Sequence, residues 1–191
     1  GYLVVCVDGR GTGFRGKKFA SVVYKNLGKY ETEDQIAAAR YVASLPYVDA
    51  SKIGIFGWSF GGYETLMAMT APGNPYAAGI AVAPVTDWRL YDSVYTERFM
   101  LTPQQNSVGY DASSTLGRIK NLKGNLLIVS GTADDNVHIA NTFEFVSEAT
   151  SQNKILDMMV YPNKNHFING CETRLALYTK LLDYFNRNLK K

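Results

Sequence analysis

The feature that most constrains the fold is a series of short, continuous apolar runs that alternate with helical stretches. The runs cover residues 2–7, 53–57, 79–83, 125–130 and 155–161. Unbroken apolar runs are typical of parallel strands buried on both faces, whereas strands with one solvated face alternate apolar and polar residues. Helical patterns cover residues 33–45, 63–69, 137–149 and 174–189. This alternation predicts an α/β fold with a mostly parallel sheet and flanking helices.

Composition excludes several classes of protein. The 191 residues suit one domain or part of a larger one, and 46% hydrophobic with 19% charged residues is too apolar for a disordered chain. The sequence contains no run of 18 or more apolar residues, so it predicts no bilayer-spanning helix. The net charge is only +3 and the basic residues are scattered, which argues against a nucleic-acid partner. Cys6 and Cys171 exclude a disulfide scaffold and a CxxC metal or redox motif, but leave one bridge between them open.

Residues 57–61 read Gly-Trp-Ser-Phe-Gly, which is the G-x-S-x-G pattern. An apolar run precedes it and a helical stretch follows, as in a sharp strand–serine–helix turn. Such a turn is expected to need small residues two before and two after the serine, here Gly57 and Gly61. It would lift the Ser59 hydroxyl clear of the sheet and leave the Phe60 N–H free to donate to an oxyanion. The alternative is a glycine-rich connection in which Ser59 only caps the helix.

A serine nucleophile needs a base, and the base needs an orienting carboxylate. Asp134 follows the run 125–130, and His166 follows the run 155–161. Because the carboxyl ends of parallel strands gather at one edge of a sheet, Ser59, Asp134 and His166 are expected to converge. The order Ser, Asp, His along the chain is that of the α/β-hydrolase fold.

Each assignment has a rival. Asp135 is an alternative acid beside Asp134. The other histidine, His138, lies at the start of a helical stretch and is interpreted as a solvated or capping residue. The alternative for His166 is a loop histidine without a role.

The loop 11–16 matches the dinucleotide pattern G-x-G-x-x-G. Three residues separate it from the run 2–7, its helical signal begins only near residue 33, and no second strand ends near the acids that follow. A dinucleotide site is therefore the less favoured interpretation. The alternative is a glycine-rich turn at the sheet edge, with Asp8 and Arg10 as structural ion-pair partners.

The longest irregular stretch, roughly 84–124, is rich in aromatic residues, among them Trp88, Tyr91, Tyr95 and Phe99. A long excursion after a strand end is typical of a binding region. The alternative is an inserted pair of short helices that pack their own small core.

Several blocks of sequence together resemble a known family. They are residues 8–13, 33–40, 57–63, 81–85, 91–98, 131–137 and 161–166. They resemble the catalytic α/β-hydrolase domain of the prolyl oligopeptidase family of serine peptidases, in its dipeptidyl peptidase branch. The resemblance runs along nearly the whole chain, and the blocks 91–98 and 131–137 are specific to that branch.

The resemblance implies that Ser59 is the nucleophile, Asp134 the orienting acid and His166 the base, with the Phe60 backbone N–H as one oxyanion donor. It also implies that Asn136 binds a substrate carbonyl. A small pocket would hold the penultimate proline of a peptide, lined by Val85, Trp88, Tyr91, Tyr95 and Val137. An aromatic pocket can bury a proline ring without leaving a hydrogen-bond donor unsatisfied, because proline has no backbone N–H. The i, i+4 spacing of the two pocket tyrosines predicts that they share a helical face.

Family members also carry an N-terminal β-propeller that grips the substrate's amine and an early loop tyrosine that completes the oxyanion hole. Neither is matched by these residues, and the usual strand order leaves a gap between the runs 2–7 and 53–57. The chain begins at Gly1 and enters an apolar run without a charged leader. Residues 1–191 are therefore expected to be one fragment of the catalytic domain, with an intact triad but an incomplete sheet, oxyanion hole and amine anchor.

The resemblance further implies peptide substrates with a penultimate proline or alanine, no metal or organic cofactor, a homodimeric parent enzyme and an exported location. Two residues depart from the family pattern. Glu64 stands where an apolar residue is usual, near the first helical turn where a dipole favours a charge, and Phe167 is expected to narrow the rim of the site. The remaining alternatives are another hydrolase of this fold, such as an acyl-aminoacyl peptidase or esterase, and a non-catalytic binding module.

Overall fold

The computed structural model describes residues 1–190, and its centre is one parallel sheet. The strands are β1 (Gly54–Trp58), β2 (Ala78–Val82), β3 (Asn125–Gly131) and β4 (Asp157–Tyr161). They pair in the order β1-β2-β3-β4, all parallel. The predicted α/β fold with a parallel sheet is confirmed, with four of the expected strands in place.

Helices flank this sheet and join its strands. They are α1 (Lys17–Ser21), α2 (Lys29–Ala43), α3 (Phe60–Met69), α4 (Ser93–Met100), α5 (Ser107–Ser113), α6 (Ala140–Ser151) and α7 (Cys171–Leu189). The four predicted helical stretches are present as α2, α3, α6 and α7. Helix α2 begins before residue 33, because Gly28 adopts a left-handed conformation (φ 82°) and starts the helix there. The five-residue α1, which directly follows Gly16, was not predicted.

Strand β2 shows how the two faces of the sheet are covered. All five of its residues are buried, since it lies between β1 and β3. Ile80 and Val82 join an apolar cluster with α7 on one face. Ala81 joins a second cluster with α2, α3 and α6 on the other face. The continuous apolar run thus reflects burial on both sides.

The first apolar run, residues 2–7, does not form the predicted strand. Its side chains are largely exposed, with Val4 at 86%. The run is held at its ends, where the Tyr2 hydroxyl donates to Asn186 Oδ1 and Gln35 Nε2 donates to the Val7 carbonyl. It forms no backbone hydrogen-bond ladder with β1, which is the outermost strand on that side of the sheet. An apolar run becomes a strand only when its backbone N–H and C=O groups pair with those of a neighbouring strand. The apolar pattern of the run does not show whether such a strand is present.

The loop 11–16 is a structural turn in which Arg10 has a different partner from the one predicted. The Arg10 guanidinium lies 2.7 Å from Asp34 Oδ1 and 3.1 Å from Glu33 Oε2, while Asp8 is exposed. Arg10 lowers the pKa of the Asp34 carboxyl through this hydrogen-bonded pair. Because no strand precedes the loop, the strand–loop–helix unit of a dinucleotide site is not formed.

The stretch 84–124 contains the short helices that the sequence left open as an alternative to a binding region. It folds into α4, α5 and two 3₁₀ turns, Trp88–Leu90 and Leu116–Asn121. Its aromatic residues do not pack a separate small core, because they share one apolar cluster with Val23 and Leu27, with Tyr63 and Met67 of α3, and with Val137. Cys6 and Cys171, the possible disulfide partners, are both free and exposed.

Candidate active site

Ser59 lies on a strained turn between β1 and α3. Its backbone has φ 60° and ψ −117°, a conformation that costs energy for a residue with a side chain. The Ser59 N–H donates to the Val82 carbonyl at 2.8 Å, which ties the turn to β2. The serine side chain makes no capping hydrogen bond, so the interpretation of Ser59 as a mere helix cap is wrong. Phe60 is the first helical residue, and its N–H therefore has no partner within the helix.

The glycines around Ser59 do not play equal parts. A Cβ on Gly57 would overlap the backbone carbonyl of Gly61, so residue 57 has to be glycine for the turn to close. A Cβ on Gly61 would meet nothing within 4 Å, which contradicts the expectation that both flanking positions must be small. Gly62 is the second tight position, because its Cβ would lie 2.8 Å from the Val82 carbonyl oxygen.

Asp134 and His166 form a buried hydrogen-bonded pair at the carboxyl ends of β3 and β4. His166 Nδ1 lies 2.9 Å from Asp134 Oδ2, and the two side chains are 5% and 0% exposed. Asp134 Oδ1 accepts the backbone N–H groups of Asn136 (2.9 Å) and Val137 (2.8 Å). Both carboxylate oxygens are thereby fixed, and Nε2 is left as the free nitrogen of the His166 ring.

The rival residues are placed elsewhere. Asp135 is exposed and takes no part in this pair, and His138 is exposed. The His138 Nδ1 accepts the Ala140 N–H at 3.2 Å, beside the first residue of α6. This agrees with the interpretation of His138 as a solvated or capping residue.

Trp58 joins the turn of Ser59 to the loop of His166. The Trp58 Nε1–H donates to the His166 carbonyl oxygen at 3.0 Å. Among residues 1–190, the Ser59 hydroxyl makes no hydrogen bond, although hydrogen bonds of catalytic groups often form only when substrate binds. Ser59, Asp134 and His166 thus follow β1, β3 and β4 at one edge of the sheet.

The residues predicted to line a pocket belong to one aromatic cluster beside this edge. Val85, Trp88 and Val137 are buried in it, and Tyr91 and Tyr95 pack against it as partly exposed residues. The Trp88 and Tyr95 rings are stacked with centroids 5.8 Å apart, and the Tyr91 ring meets the Tyr95 ring edge-on at 5.4 Å. The sequence-predicted residues are therefore brought together in space.

Tyr91 reaches this cluster in a different way from the one predicted. Helix α4 begins at Ser93, with the Asp92 carboxylate accepting the Tyr95 N–H as an N-cap, so Tyr91 precedes the helix in an extended conformation. The prediction that Tyr91 and Tyr95 share a helical face is wrong, because Asp92 caps the helix between them. From its extended position the Tyr91 hydroxyl donates to Asn136 Oδ1 at 2.6 Å. This bond fixes the Asn136 amide so that its NH₂ group is available to another acceptor.

Other aromatic side chains join this cluster besides the predicted lining residues. Tyr63, Tyr110 and the Phe60 ring were not predicted there, and Phe99 was predicted only as part of the aromatic stretch 84–124. The Phe60 ring lies 5.8 Å from the Trp88 ring, and the Phe99 ring lies 4.9 Å from the Tyr95 ring. The spacing of Tyr95 and Phe99 by four residues on α4 was the available signal for the second. Phe167 is exposed, and its ring meets the His166 ring edge-on with centroids 5.5 Å apart.

The helix dipole alone does not explain why a glutamate occupies position 64. Its carboxylate is buried, and neither of its oxygens has a hydrogen-bond partner. Burial, with the nearby Glu31 and Asp34, raises the pKa of Glu64 well above its ordinary value. Burial likewise raises the pKa of Glu31 to about 7, despite hydrogen bonds from backbone N–H groups that oppose the shift.

These raised values predict that Glu64→Gln stabilises the protein at alkaline but not at acidic pH. Below about pH 4 both glutamates are mostly protonated in the folded and in the unfolded state. Above it the unfolded chain ionises Glu64 while burial holds the group protonated in the folded state, so the wild type loses stability as the pH rises toward the raised pKa. We expect the variant to gain about 1–3 kcal/mol in unfolding free energy at about pH 8. Urea unfolding measured from about pH 4 to about pH 8 checks this. The exposed Glu144→Gln should leave the pH dependence unchanged, and an unchanged dependence in Glu64→Gln would contradict the prediction.

The parallel α/β sheet, the strained serine turn after its first strand and the buried Asp–His pair at the same edge define the α/β-hydrolase class of fold. The chain matches the prolyl oligopeptidase family over residues 1–191 and belongs to that family. The resemblance seen in the sequence is therefore confirmed.

Similar proteins carry dipeptidyl peptidase names. The chain is 48% identical over 188 residues to a probable dipeptidyl-aminopeptidase B of Ajellomyces capsulatus (strain H88), covering 96% of this chain and 20% of that protein. It is 46% identical to dipeptidyl aminopeptidase B of Saccharomyces cerevisiae, covering 97% and 23%. The crystal structure of Porphyromonas gingivalis dipeptidyl peptidase 4 matches with a TM-score of 0.95 and 55% identity, covering 96% and 26%. The chain thus spans about a fifth of the length of the curated relatives it matches.

No helix within residues 1–190 is both long and apolar enough to cross a membrane. The same residues contain no cluster of three or more His, Cys, Asp or Glu side chains arranged to hold a metal ion.

Proposed function

We propose that this chain carries the catalytic triad of a serine dipeptidyl peptidase, which releases N-terminal dipeptides with a penultimate proline or alanine. The observation that carries the proposal is the buried hydrogen bond between His166 Nδ1 and Asp134 Oδ2, which lies at the sheet edge that also holds the Ser59 turn. Membership of the prolyl oligopeptidase family and the dipeptidyl peptidase names of the relatives support it.

In the proposed reaction, His166 takes the Ser59 proton as the serine oxygen attacks the carbonyl carbon of the substrate's second residue, the penultimate proline or alanine. Asp134 accepts the Nδ1–H of His166, so that Nε2 is the basic nitrogen and the imidazolium is stabilised. The Phe60 N–H donates to the oxyanion, His166 protonates the leaving amine, and water then hydrolyses the acyl-enzyme through the same base. These steps require only side chains and backbone groups of the protein.

Recognition is assigned to the aromatic cluster and to Asn136. Tyr91 and Tyr95 present partly exposed aromatic rings that pack against the buried Val85, Trp88 and Val137, and this apolar lining suits a proline ring that has no N–H to satisfy. The hydrogen bond from the Tyr91 hydroxyl occupies Asn136 Oδ1 and leaves the NH₂ group to donate to a substrate carbonyl, which supports this assignment. On the family resemblance we also propose that the full protein is exported and forms a homodimer.

Active-site labelling tests the proposal in the protein that carries this chain. A fluorophosphonate should attach to Ser59, as located by mass spectrometry of the labelled peptide. Gly-Pro and Ala-Pro anilides should be cleaved in preference to acyl-Ala anilides and simple p-nitrophenyl esters. Preference for acyl-Ala or for the simple esters would favour an acyl-aminoacyl peptidase or an esterase. A protein that is neither labelled nor active would favour a binding module.

A further inference from the structure

Trp58 provides a direct link between the nucleophile's strand and the base's loop. Its side chain is the last of β1, and the next residue is Ser59. The single N–H of its indole donates to the His166 carbonyl oxygen at 3.0 Å. Within residues 1–190, no other hydrogen bond joins 54–61 to 162–170.

The loop that carries His166 has little regular structure to hold it. It contains two non-glycine residues with positive φ, Asn163 (57°) and Ile168 (48°), and no strand or helix from 162 to 170. On the side of the acid it is well tied, because the Ala133 N–H donates to the Lys164 carbonyl at 3.0 Å and Asp134 binds the His166 ring. The base is therefore fixed to the acid directly. Ile168 anchors the end of the loop in the apolar cluster with β2 and α7, and the hydrogen bond from the loop to the strand that precedes Ser59 comes from Trp58.

Arg174 holds the indole from its other side. The Arg174 guanidinium, in the first turn of α7, lies 5.3 Å from the centroid of the Trp58 ring. It also donates to Asn169 Oδ1 at 3.2 Å and to the Tyr178 hydroxyl at 3.3 Å. A cation over an indole face is attracted by the ring's quadrupole, so Arg174 restricts the ring and the end of the histidine loop together.

We propose that Trp58 is a positioning residue that holds the backbone of His166 at the correct distance from Ser59, and that Arg174 restricts the orientation of the Trp58 ring. The proposal rests on the proposed function. Trp58 acts through the backbone of His166 and need not touch the substrate. Because displacement of a catalytic group by about 1 Å costs on the order of 100-fold in rate, a hydrogen bond that fixes the base's backbone bears directly on turnover.

The distinguishing measurement compares two leaving groups. The amine of a Gly-Pro anilide must be protonated by His166 as it departs, whereas the phenolate of an activated Gly-Pro ester leaves without help. A displaced base should therefore slow the anilide more than the ester, while a loss of folded protein slows both equally. The ratio of the two kcat values thus reports the position of His166.

The variants are made in the protein that carries this chain. Trp58→Phe removes the donor, and 3-benzothienylalanine at position 58 keeps the ring shape while replacing the N–H by sulfur. We expect both to lower kcat on the anilide by about tenfold or more, with a smaller loss on the ester and KM changed less than about twofold. Arg174→Leu should shift the ratio in the same direction by less, and the neighbouring exposed Leu175→Ala should not shift it.

The outcomes separate this proposal from the function on which it rests. An active wild type whose anilide-to-ester ratio is unchanged by the benzothienyl substitution would overturn the role of Trp58 and leave the peptidase assignment standing. A wild type that cleaves neither substrate would overturn both. A reduced ratio in both Trp58 variants supports the proposal, and the benzothienyl variant decides the matter if Trp58→Phe fails to fold.

Discussion

Replacing Asp134 by asparagine is expected to lower kcat by about 10⁴-fold while leaving KM nearly unchanged. The structure dictates how the new amide would sit. The Oδ1 position accepts two backbone N–H groups, from Asn136 and Val137, and only the amide oxygen can take that place. The amide NH₂ group is then forced toward His166 Nδ1.

The consequence is the wrong tautomer of the base. A donor facing Nδ1 makes that nitrogen an acceptor and leaves the proton on Nε2, which can then no longer take the Ser59 proton. Steady-state kinetics on a Gly-Pro anilide measures the loss. Asp135→Asn is the matched control, since Asp135 is adjacent but exposed and should keep activity within about twofold. Retention of more than about a tenth of the activity in Asp134→Asn would show that the pair does not set the tautomer.

Gly57→Ala and Gly61→Ala are expected to change stability in opposite directions. A Cβ at position 57 would overlap the Gly61 backbone, which cannot move without opening the turn, so a loss of about 3 kcal/mol or more is expected. A Cβ at position 61 meets nothing and lies within α3, where alanine is favoured over glycine by about 0.5–1 kcal/mol.

Denaturant unfolding of the two variants beside the wild type measures both effects. Fluorophosphonate labelling of Ser59 should fall in Gly57→Ala and persist in Gly61→Ala, because only the first substitution deforms the turn. Equal damage from the two substitutions would contradict the steric argument, even though both glycines belong to the same motif.

The parts of the fold that could be predicted are those in which local pattern and burial agree. Continuous apolar runs identified β1 to β4. Burial on both faces, the expected reason for the pattern, holds for β2 and β3, whereas the outer strands β1 and β4 are only partly buried. The positions of Asp134 and His166 after β3 and β4 followed from parallel topology, because the ends of parallel strands share an edge. The run 2–7 has the same apolar pattern as β1, but its pairing depends on a neighbour that the pattern does not reveal.

The predictions that were wrong concern features that depend on single side chains and on backbone conformation. Tyr91 was placed on a helix because spacing was considered without the capping ability of Asp92. Arg10 pairs with Asp34 rather than Asp8, because the chain turns back toward the start of α2, a long-range contact that local sequence cannot report. Gly61 belongs to the motif, yet only coordinates reveal that the space around it is open.

The short loop from Asp134 to Val137 couples two tasks that a protein engineer would prefer to alter separately. One oxygen of its carboxylate orients the imidazole, and the other anchors the amides of the two neighbours proposed to contact substrate. A substitution at Asn136 or Val137 that shifts the backbone of this loop would therefore also move the carboxylate that orients His166. Val85 follows β2, outside this loop, and so offers the safer position from which to widen or narrow the range of accepted residues.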